Sequence, residues 1–341
     1  RELVLSRAEL DGEVKQLPGA FFQEPAKQSP RPGTLIETLQ ASSVELEYLR
    51  DQAGTPYSQA RVAGGAGVIT SQSACPFQAY ARYRLGAGYE AHSEPGLDAA
   101  DRGTLVHAIL DDLWLELHDS NNLRKLNPAQ KDEVIRNSIE PAVRRFAGRG
   151  GLGHGYADSL SGWLFNLIDQ WLDLELLRNQ EFEVIAREHA VELELGGLVL
   201  SLRIDRVDRL EDQSLVLLDY KTGEPEAVTG WIGTPPDYRS KYPQLGLYAL
   251  AVKQSPDPVL QGDLEGLLVA SLRLGAGRLA GFSLNTSLID PNLRLPQSPP
   301  RLEKVRGLDE TFQEWDALCE RWRKSFTEQA AAFRAGRAEV S

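Results

Sequence analysis

Apolar residues along this chain recur first at helical and then at strand spacing, and the period changes near residue 182. Between 71 and about 180 the pattern predicts helices. Pro76 suits the first turn of one that carries Phe77, Tyr80 and Tyr83. Thr104 is placed to cap a second, with Leu105, Ile109, Leu110, Leu113 and Leu117 along its apolar side. Asn127-Pro128 opens a third, and Trp163, Leu167, Trp171 and Leu174 line a fourth. Beyond 182 the period is two. Val191, Leu193 and Leu195 alternate with Glu192 and Glu194, then Leu198, Leu200, Leu202 and Ile204 with Val199, Ser201, Arg203 and Asp205. Leu215-Val216-Leu217-Leu218 is apolar on both sides and predicts a strand at a sheet centre. The short links Gly196-Gly197 and Glu211-Asp212-Gln213-Ser214 imply an antiparallel meander. A helix over about 243–253 and a strand near 266–274 follow. A long last helix, within 308–336, carries the stripe Phe312, Trp315, Cys319, Trp322, Phe326 and Phe333, read most simply as core packing. The fold class is therefore α/β, a short mixed sheet with an antiparallel meander, flanked by helices and wrapped by a helical N-terminal half.

Before residue 68 the pattern is broken. Pro18, Pro25, Pro30, Pro32 and Gly64-Gly65-Ala66-Gly67 interrupt any long element, leaving one helix expected within 34–51. Residues 1–67 read as a lead-in and 68–341 as the main domain. The chain opens at Arg1 and contains no methionine, so we expect a piece of something longer, with the lead-in as the tail of an upstream domain. Composition changes little: 42% hydrophobic and 25% charged residues suit an ordinary globular protein. No signal peptide and no membrane-length apolar run is evident, so a cytoplasmic protein without membrane contact is expected. Cys75 and Cys319 form no CxxC pair. The net charge of -12 weighs mildly against nucleic acid as a partner, although a metal site needs clustered carboxylates and a nucleic-acid path needs only a local basic strip.

The chemistry concentrates in Ile204-Asp205-Arg206-Val207-Asp208 and, fourteen positions after Asp205, in Asp219-Tyr220-Lys221-Thr222-Gly223. Residues i and i+2 of a strand share a face, which puts Asp219 and Lys221 on one side. In a two-strand ribbon Asp205 comes close to Asp219, and two such carboxylates repel unless a cation lies between them. Hard oxygen donors with open positions suit Mg²⁺ or Mn²⁺. A lysine alongside can steady charge on a phosphate, as metal-assisted phosphodiester hydrolysis requires. The plain alternative is a surface ion pair worth about 0–1 kcal/mol. Oxygens that point apart, or a salt link filling the gap, would end the reading of a cation trapped between these two carboxylates.

Five segments, in order, resemble the nuclease domain of the RecB/AddB family of PD-(D/E)XK enzymes. They are Ser71-Gln72-Ser73-Ala74-Cys75-Pro76-Phe77, Arg102-Gly103-Thr104-Leu105-Val106-His107, Ile204-Asp205-Arg206-Val207-Asp208, Asp219-Tyr220-Lys221-Thr222 and Gln244-Leu245-Gly246-Leu247-Tyr248. The resemblance spans roughly 70–250 and implies a restriction-endonuclease-like core. It implies metal ligation by His107, Asp205 and Asp219, with Lys221 as catalytic lysine and Gln244 and Tyr248 supporting the site or touching DNA. It further implies a Mg²⁺- or Mn²⁺-dependent deoxyribonuclease, an exonuclease on DNA ends or single strands, that serves repair and recombination beside a helicase partner or an upstream helicase-like domain. Two departures stand out. Leu202 and Arg203 occupy the place of the family's glycine, and Cys75 lacks the further cysteines of an iron–sulfur set, so no cluster is expected.

Secondary candidates surround these residues. Asp111, one turn after His107, is placed to orient the imidazole, and Glu188 has the choice of the same cleft or plain solvent. Arg102, Arg206, Arg239 and Lys241, with Arg82, Arg84, Arg203 and Tyr238, are candidates for a phosphate track, or else solvated charges. His107 itself, beside Leu105, Ile109 and Leu110, has the alternative of a packed, hydrogen-bonded core histidine. The competing functions are a non-cleaving DNA-binding or scaffold module and an enzyme that acts on RNA.

Overall fold

A computed structural model describes residues 10–11, 14–15, 54–88, 97–150, 154–223, 229–233, 239–283, 306–307, 310–311 and 315–340. The chain divides into two compact units, 1–50 and 51–341. In the first, the described residues form a small antiparallel ladder, Leu10–Asp11 against Val14–Lys15. The helix expected within 34–51 lies outside the described residues.

The second unit is built on a six-stranded mixed sheet. Its strands are β1 (Arg61–Val62), β2 (Phe182–Leu195), β3 (Leu198–Leu210), β4 (Leu215–Lys221), β5 (Leu264–Ser271) and β6 (Arg278–Ser283). β2, β3 and β4 form the antiparallel meander. β5 joins β4 in parallel and β6 closes antiparallel on β5, while β1 lies parallel to the start of β3. The turn between β2 and β3 needs the left-handed backbone that glycine adopts freely, with φ of 57° at Gly196 and 78° at Gly197. β4 is buried along its length up to Lys221, as its apolar run requires of a central strand.

Helices cover both faces. α1 (Ala66–Ala74), α2 (Pro76–Arg84), α8 (Gln244–Gln254) and α9 (Trp315–Arg334) pack on one side, with Leu200, Leu217, Leu247, Trp322 and Phe326 in a single core. α3 (Ala99–Leu117), α4 (Ser120–Lys125), α5 (Pro128–Gly150) and α6 (His154–Leu176) pack on the other, around Ile109, Trp114, Ile168, Trp171, Leu218 and Tyr220. A one-turn helix, α7 (Thr229–Ile232), is fixed to α9 by the Trp322 Nε1–H bond to the Trp231 carbonyl at 2.9 Å. A second small ladder pairs Arg306–Gly307 with Glu310–Thr311.

Local chemistry explains most boundaries. Asn127 and Gln130 cap the start of α5 reciprocally, each side chain accepting from the other's backbone N–H at 3.0 Å. Two expectations need correction. α3 starts at Ala99, because the Asp98 carboxylate accepts from Asp101 N–H at 2.7 Å. Thr104 therefore lies inside the helix, its hydroxyl donating to Ala100 O. The glycine cluster does not keep helix out until 71 either: α1 begins at Ala66, directly after Gly64 and Gly65 supply two positive φ values. Within the stretch 54–67, grouped by sequence with the lead-in, β1 joins the sheet, and Gly54 and Tyr57 bond to the end of α9. In the apolar stripe of α9, Cys319, Trp322, Phe326 and Phe333 are buried, whereas Phe312 lies outside the described residues.

Candidate metal centre

The sheet's irregularity makes the site. Leu198, Leu200, Leu202 and Ile204 all pack into the α8–α9 core, and so does Val207, so the alternation of β3 changes phase at Asp205 and Arg206. Opposite, β2 turns at Glu188 with a φ of 43°, between the paired positions Arg187–Arg206 and His189–Ile204. Both strands thus break their period at one level, and their carboxylates meet. α3 brings His107 to the same point. One donor atom from each of His107, Glu188 and Asp205 lies within 4.8 Å of the others.

His107 Nδ1 is 3.2 Å from Glu188 Oε1 and 3.6 Å from Asp205 Oδ2, and Nε2 is 3.1 Å from the Tyr220 carbonyl. Both ring nitrogens therefore face acceptors. A neutral imidazole has a single N–H, so without a metal the site favours the doubly protonated ring. Burial opposes that charge, but Glu188, Asp205 and Asp219 outweigh it and raise the His107 pKa above its ordinary value. Burial raises Asp205 most, with Asp219 adding to it, to about 7, against the pull of His107 and of the Tyr220 N–H that it accepts at 2.8 Å. For Glu188, burial is outweighed by His107 and by Arg203, whose Nε sits 2.8 Å from Oε2, so its pKa falls below the usual carboxylate range.

The raised pKa values of His107 and Asp205 mark a cluster with an excess of negative charge. His107 Nδ1, 3.2 and 3.6 Å from the two carboxylate oxygens, lies a little beyond the roughly 3 Å edge of an octahedron whose bonds are about 2.1 Å, within reach of a small inward shift. The donor set, its mutual repulsion and its partial exposure fit a small divalent cation, which His107, Glu188 and Asp205 would hold.

Asp219 and Lys221 form the adjoining layer from β4. Lys221 Nζ is 2.8 Å from Asp219 Oδ2 and donates to Gln244 Oε1 at 2.9 Å. Gln244 Nε2 donates to Asp219 Oδ1 and to Tyr248 Oη, both at 2.7 Å. This network fixes the orientation of the amide, because reversing it would face NH₂ to ammonium and oxygen to carboxylate. Burial, with Asp219 and Asp205 next, pushes the Tyr248 phenol far above its ordinary range, so it keeps its proton. Asp219 is near enough to raise the Asp205 pKa, yet Lys221 and Gln244 occupy its own oxygens. That salt link ends the expectation of a cation trapped between Asp205 and Asp219, because Lys221 and Gln244 already neutralise and occupy the Asp219 carboxylate. In this structure the converging partner of Asp205 is Glu188. A cleft of about 510 Å³ opens here, lined among others by Gly65, Ser71, Arg82, Tyr83, Arg203 and Gln244.

Several candidates take other places. Asp111 does not orient the imidazole: it is half-buried and accepts from Arg187 Nε at 3.0 Å, because His107 turns toward the sheet. Arg206 is not on a phosphate track. It is fully buried, since its strand position faces the α3–α6 core, where Glu175 and Asp208 neutralise it. Arg84 stacks on Tyr80 at 4.6 Å. Arg102 is exposed and donates to Leu97 O at 3.2 Å, Lys241 is exposed beside the Tyr242 ring, and Arg239 is half-buried. Tyr238 lies outside the described residues. The full part of Glu188 was missed, since its left-handed backbone leaves no mark in the sequence.

The antiparallel meander continues in parallel into β5, with Asp219 and Lys221 at the end of β4 and Asp205 and Glu188 on the two strands before it. A family model of the PD-(D/E)XK nuclease superfamily matches residues 67–341, and the chain belongs to that superfamily. No curated protein matches the chain significantly. Among the described residues no helix is long and apolar enough to cross a membrane.

Proposed function

We propose that this chain is a Mg²⁺- or Mn²⁺-dependent deoxyribonuclease acting on linear or single-stranded DNA ends, in repair or recombination beside a helicase. The observation that carries the reading is the meeting of His107, Glu188 and Asp205 beside the Asp219–Lys221–Gln244 network, with His107, Asp205 and Gln244 lining one cleft. A cation held there supplies Lewis acidity toward a phosphate oxygen. Lys221, steadied by Asp219 and Gln244, places an ammonium where negative charge builds on the phosphate. Tyr248 fixes the Gln244 amide, while Arg203 and Arg82 give the cleft a local positive edge despite the acidic whole. A nuclease domain that includes β1, following a segment that ends an upstream domain before residue 51, belongs to the same proposal, as does a cytoplasmic setting.

The test incubates end-labelled linear, single-stranded and circular DNA with the protein, with and without Mg²⁺ or Mn²⁺. Linear and single-stranded substrates are degraded only with metal, and circles survive. Cleavage undiminished in Lys221→Ala would falsify the assignment. A second reading, a non-cleaving DNA-binding module, draws on the engagement of both Asp219 oxygens. DNA binding without cleavage, and no Mn²⁺ at Asp205 in soaked crystals, would select it.

A further inference from the structure

Behind the cluster, in the α3–α6 core, the fold buries four charges that the chemistry above leaves unused. The side chains of Glu175, Arg178, Arg206 and Asp208 are inaccessible to solvent. Arg206 donates to Asp208 through Nε and Nη2, at 2.5 and 2.9 Å, and through Nη1 to Glu175 at 2.6 Å. Arg178 Nη1 ties the same carboxylates, at 2.6 Å from Asp208 and 3.1 Å from Glu175. Two positive and two negative charges cancel. Aromatic faces cover the cations, Trp114 over Arg206 and Phe182 over Arg178, each at 4.0 Å.

Such a network gains little over apolar packing, because the desolvation of the ions offsets their attraction. It does impose geometry. Arg206 Nη1 also donates to the Tyr220 hydroxyl at 3.2 Å. Tyr220 is the hub of the site: its N–H holds Asp205 at 2.8 Å and its carbonyl faces His107 at 3.1 Å. Arg206 therefore grips β3 at the residue after Asp205 and β4 at the residue whose peptide groups bridge Asp205 and His107.

We propose that Arg206, through the Tyr220 hydroxyl, is a positioning residue that sets the spacing of Asp205 and His107 for the cation. The proposal rests on the reading of those two residues as metal donors.

Tyr220→Phe removes the hydroxyl and keeps the buried ring. Mn²⁺ affinity, read by electron paramagnetic resonance without nucleic acid, weakens about tenfold, the lower end for loss of an outer partner, because the hydroxyl reaches the donors only through the Tyr220 peptide groups. The kcat for DNA falls while KM holds, and Arg206→Lys, which loses the planar fork, gives the same split. Val134→Ala, a destabilising control in α5, leaves Mn²⁺ affinity unchanged. Parental affinity and kcat in folded Tyr220→Phe overturn the proposal. Crystal structures of parent and variant add a readout that needs no metal. Altered spacings from position 220 to Asp205 and His107 support the proposal, and unchanged spacings overturn it. A parent that binds no Mn²⁺ overturns the metal assignment and with it the cation's place in this inference, whereas a parent that binds Mn²⁺ without cutting DNA overturns only the nuclease reading.

Discussion

Glu188 stands level with Asp205 across the β2–β3 pair, on a backbone turned to a φ of 43°. A residue with a Cβ holds that conformation at a cost of about 1–2 kcal/mol, so the surrounding fold must impose it. The turn aims a carboxylate at His107 rather than at solvent. Glu188→Gln keeps size and hydrogen bonding but loses the charge. Mn²⁺ affinity measured by calorimetry should fall about tenfold or more, with little change in melting temperature. Unchanged affinity would remove Glu188 from the donor set.

Lys221 is expected to act on the phosphate and not on the cation. Lys221→Ala should lower kcat about 10²–10³-fold, the range for loss of one preorganised charge-stabilising group. It also frees Asp219 from its ion pair, which adds negative charge beside the cluster. Mn²⁺ affinity should therefore hold or rise, and a marked fall in calorimetry would contradict this division of roles.

The stability of the metal-free protein should decline between about pH 4 and pH 7. Asp205 carries a pKa raised from 3.8 to about 7, so the folded state binds a proton that the unfolded state has already lost in that window. The stabilisation is complete below the unfolded value and lost as pH rises through the folded one. The raised His107 acts with the same sign. Thermal melts from pH 5 to 8 should show the decline. Asp205→Asn should flatten it, and Mg²⁺ should reverse it at the alkaline end by replacing the protons. A melting curve indifferent to Asp205→Asn would refute the linkage.

Breaking the buried quartet should cost far more than replacing it. Asp208→Ala leaves two buried arginines sharing Glu175, one charge uncompensated, and should destabilise by about 3–5 kcal/mol in urea unfolding. Replacing Glu175, Arg178, Arg206 and Asp208 together by apolar residues of similar volume should cost less than that single change.

Much of the fold was legible because its signals are local. Alternation over Val191–Leu195 and Leu198–Ile204, the Gly196-Gly197 turn and the doubly apolar run Leu215–Leu218 fix a meander with a buried central strand. The same alternation places Asp219 and Lys221 on one face, where they pair at 2.8 Å. A signal for Arg206 was also present, since it shares a strand face with Asp208 two residues on. A clustered arginine beside a carboxylate motif reads as a phosphate contact only if the face is open, and this one is closed by Trp114 and Phe182.

The chain by itself determined the strands, most of the helices, and which residue types stand at the end of β4, because propensity, period and turn chemistry act over a few residues. Tertiary structure alone decided which donors meet. His107 and Glu188 are eighty-one positions apart and touch only because α3 crosses the sheet where β2 and β3 break their alternation together. Asp111 turned to Arg187, and Arg206 turned inward, for the same reason. A side chain's partner depends on the face its backbone presents, and at an irregular strand that face is set by packing from both sides of the sheet.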